Sequence, residues 1–418
     1  MCIYRVKQTI LYKDMKKIIG SYLVLICIAA ALCGCSSEMF DIGPGGMSDK
    51  EAAISGEGGV LDGGGPGGED VNGKPSFPSG VVTAGEWNDI ANWGYWANLL
   101  NNQEWAQYAE YWKYYPHNFV YVKLSDESGN PVCGVKVALE KEGQKVWSAI
   151  SDNAGTALLW AALYESKYGV DASDYSLKVD GNAVEAFEFT TAGKQEAVVN
   201  NYVVKNTSPA NAIDVAFIVD ATGSMGDEIG FLKADLKDII DLVGTQCTAK
   251  VRTATVFYRD EDDKYVTKHS NFTDQLTETI AYIGEQEAEG GGDWPEAVHK
   301  ALEEGVQSLQ WNLKAKSRVA FLILDAPPHH EDEIIAACQK SIEAYAMAGI
   351  KIIPVAASGI DKACEYLLRN FAMATNGTYV FITNDSRVGN EHIEATVGEY
   401  EVEKLRDLIA RLIIAYAK

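Results

Sequence analysis

From Ile213 onwards, largely apolar stretches alternate with stretches whose apolar residues recur every three or four positions. Residues 213–219, 251–258, 318–324, 350–356 and 378–382 are of the first kind. The second kind predicts helices from about residue 227 and over 295–309, 332–348, 362–374 and 401–416. A strand that is apolar on both sides needs cover on both faces, and helices between successive strands supply it. The pattern therefore predicts an α/β domain over residues 212–416, with a doubly wound, mostly parallel sheet. In its first helix, Ile229, Leu232, Leu236 and Ile239 form the face that must lie on the sheet. Ligands of such sheets sit in the crevice beyond the C-terminal ends of the strands, so the loops there carry the functional question.

The first of these loops reads Asp220-Ala221-Thr222-Gly223-Ser224-Met225-Gly226. Alternate residues leaving a strand can turn three oxygen-bearing side chains inwards, and Asp220, Thr222 and Ser224 make a hard set suited to Mg²⁺, Mn²⁺ or Ca²⁺. The same residues could instead cap the following helix. Asp325 ends the strand over 318–324 and so emerges on the same edge as Asp220. The loop Gly290-Gly291-Gly292-Asp293-Trp294-Pro295-Glu296 lets Asp293 approach from above. Carboxylates converging on one crevice repel unless a cation offsets them.

These residues resemble the von Willebrand factor type A family. Its metal-ion-dependent adhesion site combines Asp-x-Ser-x-Ser on one loop, a threonine on a second and an aspartate on a third. Asp220, Thr222 and Ser224 match the first part with one conservative change, and Asp325 matches the third. Asp293 stands where a threonine is expected, which adds a negative charge. Asp325-Ala326-Pro327-Pro328-His329 also looks like members of the family that carry Gly-Gly-Gly-Asp-x-Pro-Glu loops. The resemblance implies a VWFA module that is not an enzyme, with a divalent cation (magnesium, manganese or calcium) at Asp220, Thr222, Ser224, Asp293 and Asp325. It implies cell adhesion or protein binding through an acidic group of an envelope or host matrix protein.

Two other functions compete. Residues 222–226 are one residue from a Gly-x-Ser-x-Gly nucleophile elbow, so Ser224 could work with Asp325 and His329, His330 or His392 as a serine hydrolase. That elbow wants glycine where Thr222 stands, and it leaves Asp220 unexplained. A structural surface lipoprotein with a degenerate metal site is the third reading. His329 and His330 read as a polar loop rather than as ligands, and residues 258–263 as a solvated turn, with a ligand-selecting rim as its alternative.

Upstream, Lys16-Lys17, an apolar run and Leu32-Cys33-Gly34-Cys35 have the marks of an export signal over residues 1–35, with Met15 an alternative start. They resemble a bacterial lipoprotein signal that would leave lipid on Cys35, which implies a lipid-anchored protein of the cell envelope, at the outer membrane and exposed on the surface. Residues 36–82 are too rich in glycine to repay ordering and read as a flexible tether. Thr83 and Glu86 match a capping box, and Trp87, Ile90, Trp93, Ala97 and Leu100 follow at helical spacing. Residues 83–117 thus read as a helical aromatic collar packed on the next domain, or as a platform for a sugar or peptide. Short alternating strands between turns predict a small β-sandwich over 118–205. It resembles carboxypeptidase-regulatory-like and immunoglobulin-like modules; Asp126 and Asp152 would cap its turns. Cys338 and Cys364 read as small buried residues, with a disulfide between helices as the alternative. A formal charge of −23 sets the whole chain against nucleic acid and anionic lipid surfaces.

Overall fold

The computed structural model describes residues 81–384 and 393–418, together with a two-residue antiparallel pair between Gly68–Glu69 and Pro75–Ser76. The export signal, Cys35, His392 and most of the tether lie outside the described residues. Among the described residues no helix is long and apolar enough to cross a membrane.

The chain enters through strand β1 (Thr83–Trp87) and helices α1 (Trp93–Leu99) and α2 (Gln103–Trp112). Residues 83–87 were expected to open a helix, and this is corrected. They pair antiparallel with two strands at the far end of the chain, and the Thr83 hydroxyl bonds Thr383 at 2.8 Å instead of capping a helix. Gly85 permits this, because a Cβ there would lie 2.6 Å from the Phe381 ring.

Next come β2 (Asn118–Ser125), β3 (Lys136–Lys141), β4 (Gln144–Ile150), β5 (Thr156–Trp160), β6 (Tyr175–Val179), β7 (Asn182–Ala183), β8 (Thr190–Thr191) and β9 (Val199–Val203). They form two four-stranded sheets. In one, β2 pairs with β5, β8 and β9; the other has the order β4-β3-β6-β7. Val120, Val122 and Leu124 point into the core between exposed or half-buried neighbours, as alternation required. Asp126 and Asp152 each accept backbone N–H bonds within their turns. Asp152 also accepts from Lys351 at 2.8 Å and Asn376 at 3.0 Å, which fastens this unit to the C-terminal half.

That half contains β10 (Ala210–Asp220), α3 (Gly226–Gln246), β11 (Lys250–Tyr258), β12 (Thr267–Thr273), α4 (Leu276–Gly284), α5 (Val298–Gln307), β13 (Ala315–Leu324), α6 (Asp332–Ala348), β14 (Lys351–Ala356), α7 (Lys362–Ala374), β15 (Tyr379–Ile382), β16 (Glu403–Lys404) and α8 (Leu405–Ala417). The sheet order is β12-β11-β10-β13-β14-β15-β1-β16. The five strands from β11 to β15 are parallel, and β12, β1 and β16 are antiparallel additions. Neither β12 nor α4 was expected, because residues 267–273 show no apolar alternation and hold the edge through backbone pairing.

Side chains alternate between two cores, which explains the largely apolar runs. Val215, Phe217, Val319 and Phe321 meet α3 and α8, with Ile229, Leu232, Leu236 and Ile239 all at most 2% exposed. Ala216, Ile218, Ala320 and Leu322 join the core that α5, α6, α7, the two small sheets and the aromatic helices share. Cys338 and Cys364 are free thiols buried in it. Trp96 stacks on Tyr366 of α7, and the Trp112 indole donates to Ala363 O at 2.7 Å.

Arg369 of α7 ties these pieces together. Fully buried, it makes two bonds to Asp89 (2.9 and 2.6 Å), one to Glu365 (3.2 Å) and one to Thr396 O (2.6 Å), between the rings of Trp96 and Trp105. Replacing Arg369 with methionine removes the guanidinium from two buried carboxylates, leaving Asp89 only the Trp87 indole and Glu365 only Lys362 and Thr396. It should cost about 3–5 kcal/mol of stability in urea unfolding, and an unchanged midpoint would refute this account of the junction.

Candidate metal centre

The pairing of β10 sets Val219 beside Ile323 and Asp220 beside Tyr258, so Asp220 and Asp325 leave the same edge of the sheet from neighbouring strands. Asp220 is fully buried; its Oδ1 accepts the Thr222 amide at 2.9 Å and the Thr222 hydroxyl at 2.7 Å. The Thr222 and Ser224 hydroxyls lie 3.4 Å apart. Neither side chain caps a helix here: Thr222 opens a short 3-10 turn (Gly223–Met225) without a cap bond, and α3 begins only at Gly226. The three predicted residues of this loop are thus gathered at one point, and Ser224 remains exposed to solvent.

The glycine loop crosses directly above. Gly290 and Gly291 both have positive φ (+84° and +73°), and a Cβ on Gly290 would strike the Asp263 carboxylate at 2.1 Å. Asp263 holds the loop by accepting the Gly291 amide at 2.9 Å. The turn over 258–263 therefore supports this loop and is more than a solvated connection. At Gly291 a Cβ would lie 3.1 Å from Glu296 Oε1 and 3.3 Å from Thr222 Cβ, so Glu296 reaches in beside Thr222.

Glu296 was missed by sequence reasoning. It is 3% exposed, and its amide donates to Pro327 O at 2.9 Å, which pins it along the third loop. A glutamate directly after Trp294-Pro295 and ahead of an apolar helix face reads as a helix-start residue; only the loop crossing reveals its other role.

Among the described residues, Asp220 Oδ2, Asp325 Oδ1 and Glu296 Oε2 are buried and accept no hydrogen bond of good geometry, although the buried Tyr258 hydroxyl lies against the Asp220 carboxylate. Among the described residues no lysine or arginine forms an ion pair with any of the three. Nearby Arg259 is turned to Glu287 O and Glu289. Burial, then the charge of Asp325, pushes the Asp220 carboxyl up to about 7. Burial, then the charges of Asp220, Asp260 and Asp325, pushes Glu296 up to about 9. Burial raises Asp325 too, against the pull of the Ser224 hydroxyl. Orphaned carboxylate oxygens that raise one another's proton affinity fit a divalent cation of hard character.

Asp293 groups with two residues that were not expected as its partners. It is exposed, and its carboxylate joins Asp260 and His329 in a group of donor atoms all within 4.8 Å of one another, a set able to coordinate a metal ion. His329 Nε2 stands 2.7 Å from Asp260 Oδ1. His330 stacks on Tyr111 with ring centroids 3.5 Å apart and bonds Tyr111 O at 2.8 Å. Both histidines are thus engaged by other residues. Beside these loops a groove of about 400 Å³ is lined by Tyr108, Tyr111, Trp112, Trp294, Pro295 and Pro328.

Residues 214–358 match the family described as von Willebrand factor A domain, so a domain of that family is present in the C-terminal half of the chain. A stretch of 120 residues is 32% identical to a protein named putative ariadne-like RING finger protein R811 of Acanthamoeba polyphaga mimivirus; it covers 28% of this chain and 11% of that protein. The chain therefore spans only about a tenth of that relative's length. Among solved structures, conserved hypothetical protein BatB from Bacteroides thetaiotaomicron is similar over 49% of this chain and 98% of its own, at 11% identity and a TM-score of 0.33.

Asp220 and Glu296 lose their protons later in the folded chain than in the unfolded one. Between about 4 and 9 the metal-free folded state therefore binds more protons, and its stability falls as pH rises. The melting temperature of chelator-treated protein should drop from pH 5 to pH 9, Glu296→Gln should flatten that slope, and saturating Mg²⁺ or Ca²⁺ should remove it. A slope unchanged by Glu296→Gln would show that this carboxylate is not the titrating group.

Proposed function

We propose that this protein is a divalent-cation-dependent binding module that captures an acidic group of a protein partner at Asp220, Thr222, Ser224 and Asp325. The reading rests on the three buried, partnerless carboxylate oxygens at the loop end of the sheet. A cation bound there supplies a positive centre with open positions that a carboxylate can fill. Asp220 orients the Thr222 hydroxyl through its Oδ1 and keeps Oδ2 for the ion. Ser224, the exposed member, faces the arriving ligand.

The domain's own acidity opposes an acidic ligand, so binding depends on the ion. One contact cannot select a partner, and the groove of Trp294, Tyr111 and the prolines supplies an apolar rim beside it. A binding role is preferred to a hydrolase because Thr222 occupies the position where the nucleophile elbow needs glycine, and because a hydrolase gives the buried Asp220 no role. Placement in the cell envelope, through lipid on Cys35, is part of the same proposal and rests on the sequence of residues 16–35.

Surface plasmon resonance against immobilised envelope and matrix proteins bearing exposed Glu or Asp tests the reading. Binding should vanish with chelator and fall at least about tenfold with Asp220→Ala or Ser224→Ala, while Trp294→Ala should weaken it without changing cation affinity. Binding that resists chelation and survives Asp220→Ala would move the interface to the small sheets or the aromatic helices.

A further inference from the structure

We infer that Asp260, Asp293 and His329 form a second cation site, separate from that of Asp220, Thr222, Ser224 and Asp325, and suited to a borderline ion such as Zn²⁺ or Mn²⁺. The three come from three different loops: the turn after β11, the glycine loop, and the segment after β13. Their donor atoms already lie within 4.8 Å of one another, and His329 Nε2 and Asp260 Oδ1 are 2.7 Å apart. Metal–ligand bonds of about 2.0–2.2 Å place adjacent donors about 3.0–3.5 Å apart, so the set is completed when the His329–Asp260 hydrogen bond opens by a few tenths of an ångström and exposed Asp293 moves inward. Three protein ligands with solvent beyond Asp293 leave further positions open. An imidazole among them turns preference away from Mg²⁺ and Ca²⁺, whose ligands are oxygen, and separates this set chemically from its neighbour.

Glu296 is the independent observation. Its main chain bonds Pro327, two residues before His329, and its Oε1 lies beneath Gly291, two residues before Asp293. This 3%-exposed carboxylate, with Oε2 unpartnered, feels the charges of Asp220 and Asp325 from one set and of Asp260 and Asp263 from the other. The four carboxylates whose charges act on Glu296 (Asp220, Asp260, Asp263 and Asp325) are more than one ion at the Asp220 site offsets. A second ion beside Asp260 gives Glu296 a cation on both flanks.

Metal stoichiometry of the chelator-stripped full chain decides this. Electron paramagnetic resonance titration with Mn²⁺ should find two ions per wild-type chain, one in His329→Gln, one in Asp220→Ala and none in the double variant. Zn²⁺ affinity by competition with a chromogenic chelator should fall at least tenfold in His329→Gln and stay unchanged in Ser224→Ala. Retained Mg²⁺-dependent protection in a thermal melt of His329→Gln verifies its fold. Equal stoichiometry and Zn²⁺ affinity in wild type and His329→Gln would overturn the second site and leave His329 and Asp260 as an ion pair. If Asp220→Ala loses no ion while His329→Gln does, the proposed binding site fails and the second site stands.

Discussion

Three carboxylates buried at one end of a sheet, with no lysine or arginine among the described residues paired to them, set the terms for the loops of this domain. Left to themselves, Asp220, Asp325 and Glu296 would move apart or take up protons. They stay because each is fixed by something that does not depend on its charge. Asp220 ends a strand whose two apolar faces are both covered, Asp325 follows a neighbouring strand in fixed register, and Glu296 is tied by its amide to Pro327. Burial of apolar surface on both sides of the sheet, at roughly 25 cal/mol per Å², easily outweighs the repulsion it constrains. The result is a set of carboxylates held in place independently of their charge.

The N-terminal pieces matter to that site because they are built into the same body. Strand β1 extends the sheet, Arg369 clamps Asp89 to α7, and Asp152 reaches Lys351 at the opposite end. With α2 held on α7, Tyr108, Tyr111 and Trp112 stand over the third loop and close one wall of the groove. The aromatic segment is therefore both packing and surface: Trp93, Trp96, Trp105 and Trp112 are buried, and Tyr111 is 44% exposed beside His330. The two readings of its aromatic residues describe different residues of one segment.

Much of this was legible because periodicity reports burial. The strands over 213–219 and 318–324, the helices over 332–348 and 362–374, and the face made by Ile229, Leu232, Leu236 and Ile239 all follow from apolar spacing. Strand β1 was not legible, since a local capping pattern at Thr83 and Glu86 competes with pairing to a strand nearly three hundred residues later. Edge strand β12 has no apolar signature at all. At the site, Asp220, Thr222, Ser224 and Asp325 announce themselves as oxygen donors at strand ends. Glu296, and the grouping of Asp293 with Asp260 and His329, depend on how a glycine loop with two positive φ angles crosses a neighbouring turn. Sequence spacing carries no information about that crossing.

The net charge of −23 bears on how such a site would choose its ligand. At physiological ionic strength the chain's field decays over roughly 8 Å, so an acidic partner meets repulsion only at short range, where the ion also acts. Long-range steering therefore contributes nothing favourable, and association should be slow by the standard of charge-complementary pairs. On the proposed reading, selectivity then comes from what stands on the neighbouring loops. On one side that is the Asp260, Asp293 and His329 group, which repels further carboxylates while it holds no cation. On the other is the uncharged wall of Trp294, Pro295 and Pro328. A ligand with a single carboxylate next to an apolar segment satisfies both sides, whereas a run of acidic residues satisfies only the ion. On the proposed reading, the groove decides which acidic partner is kept.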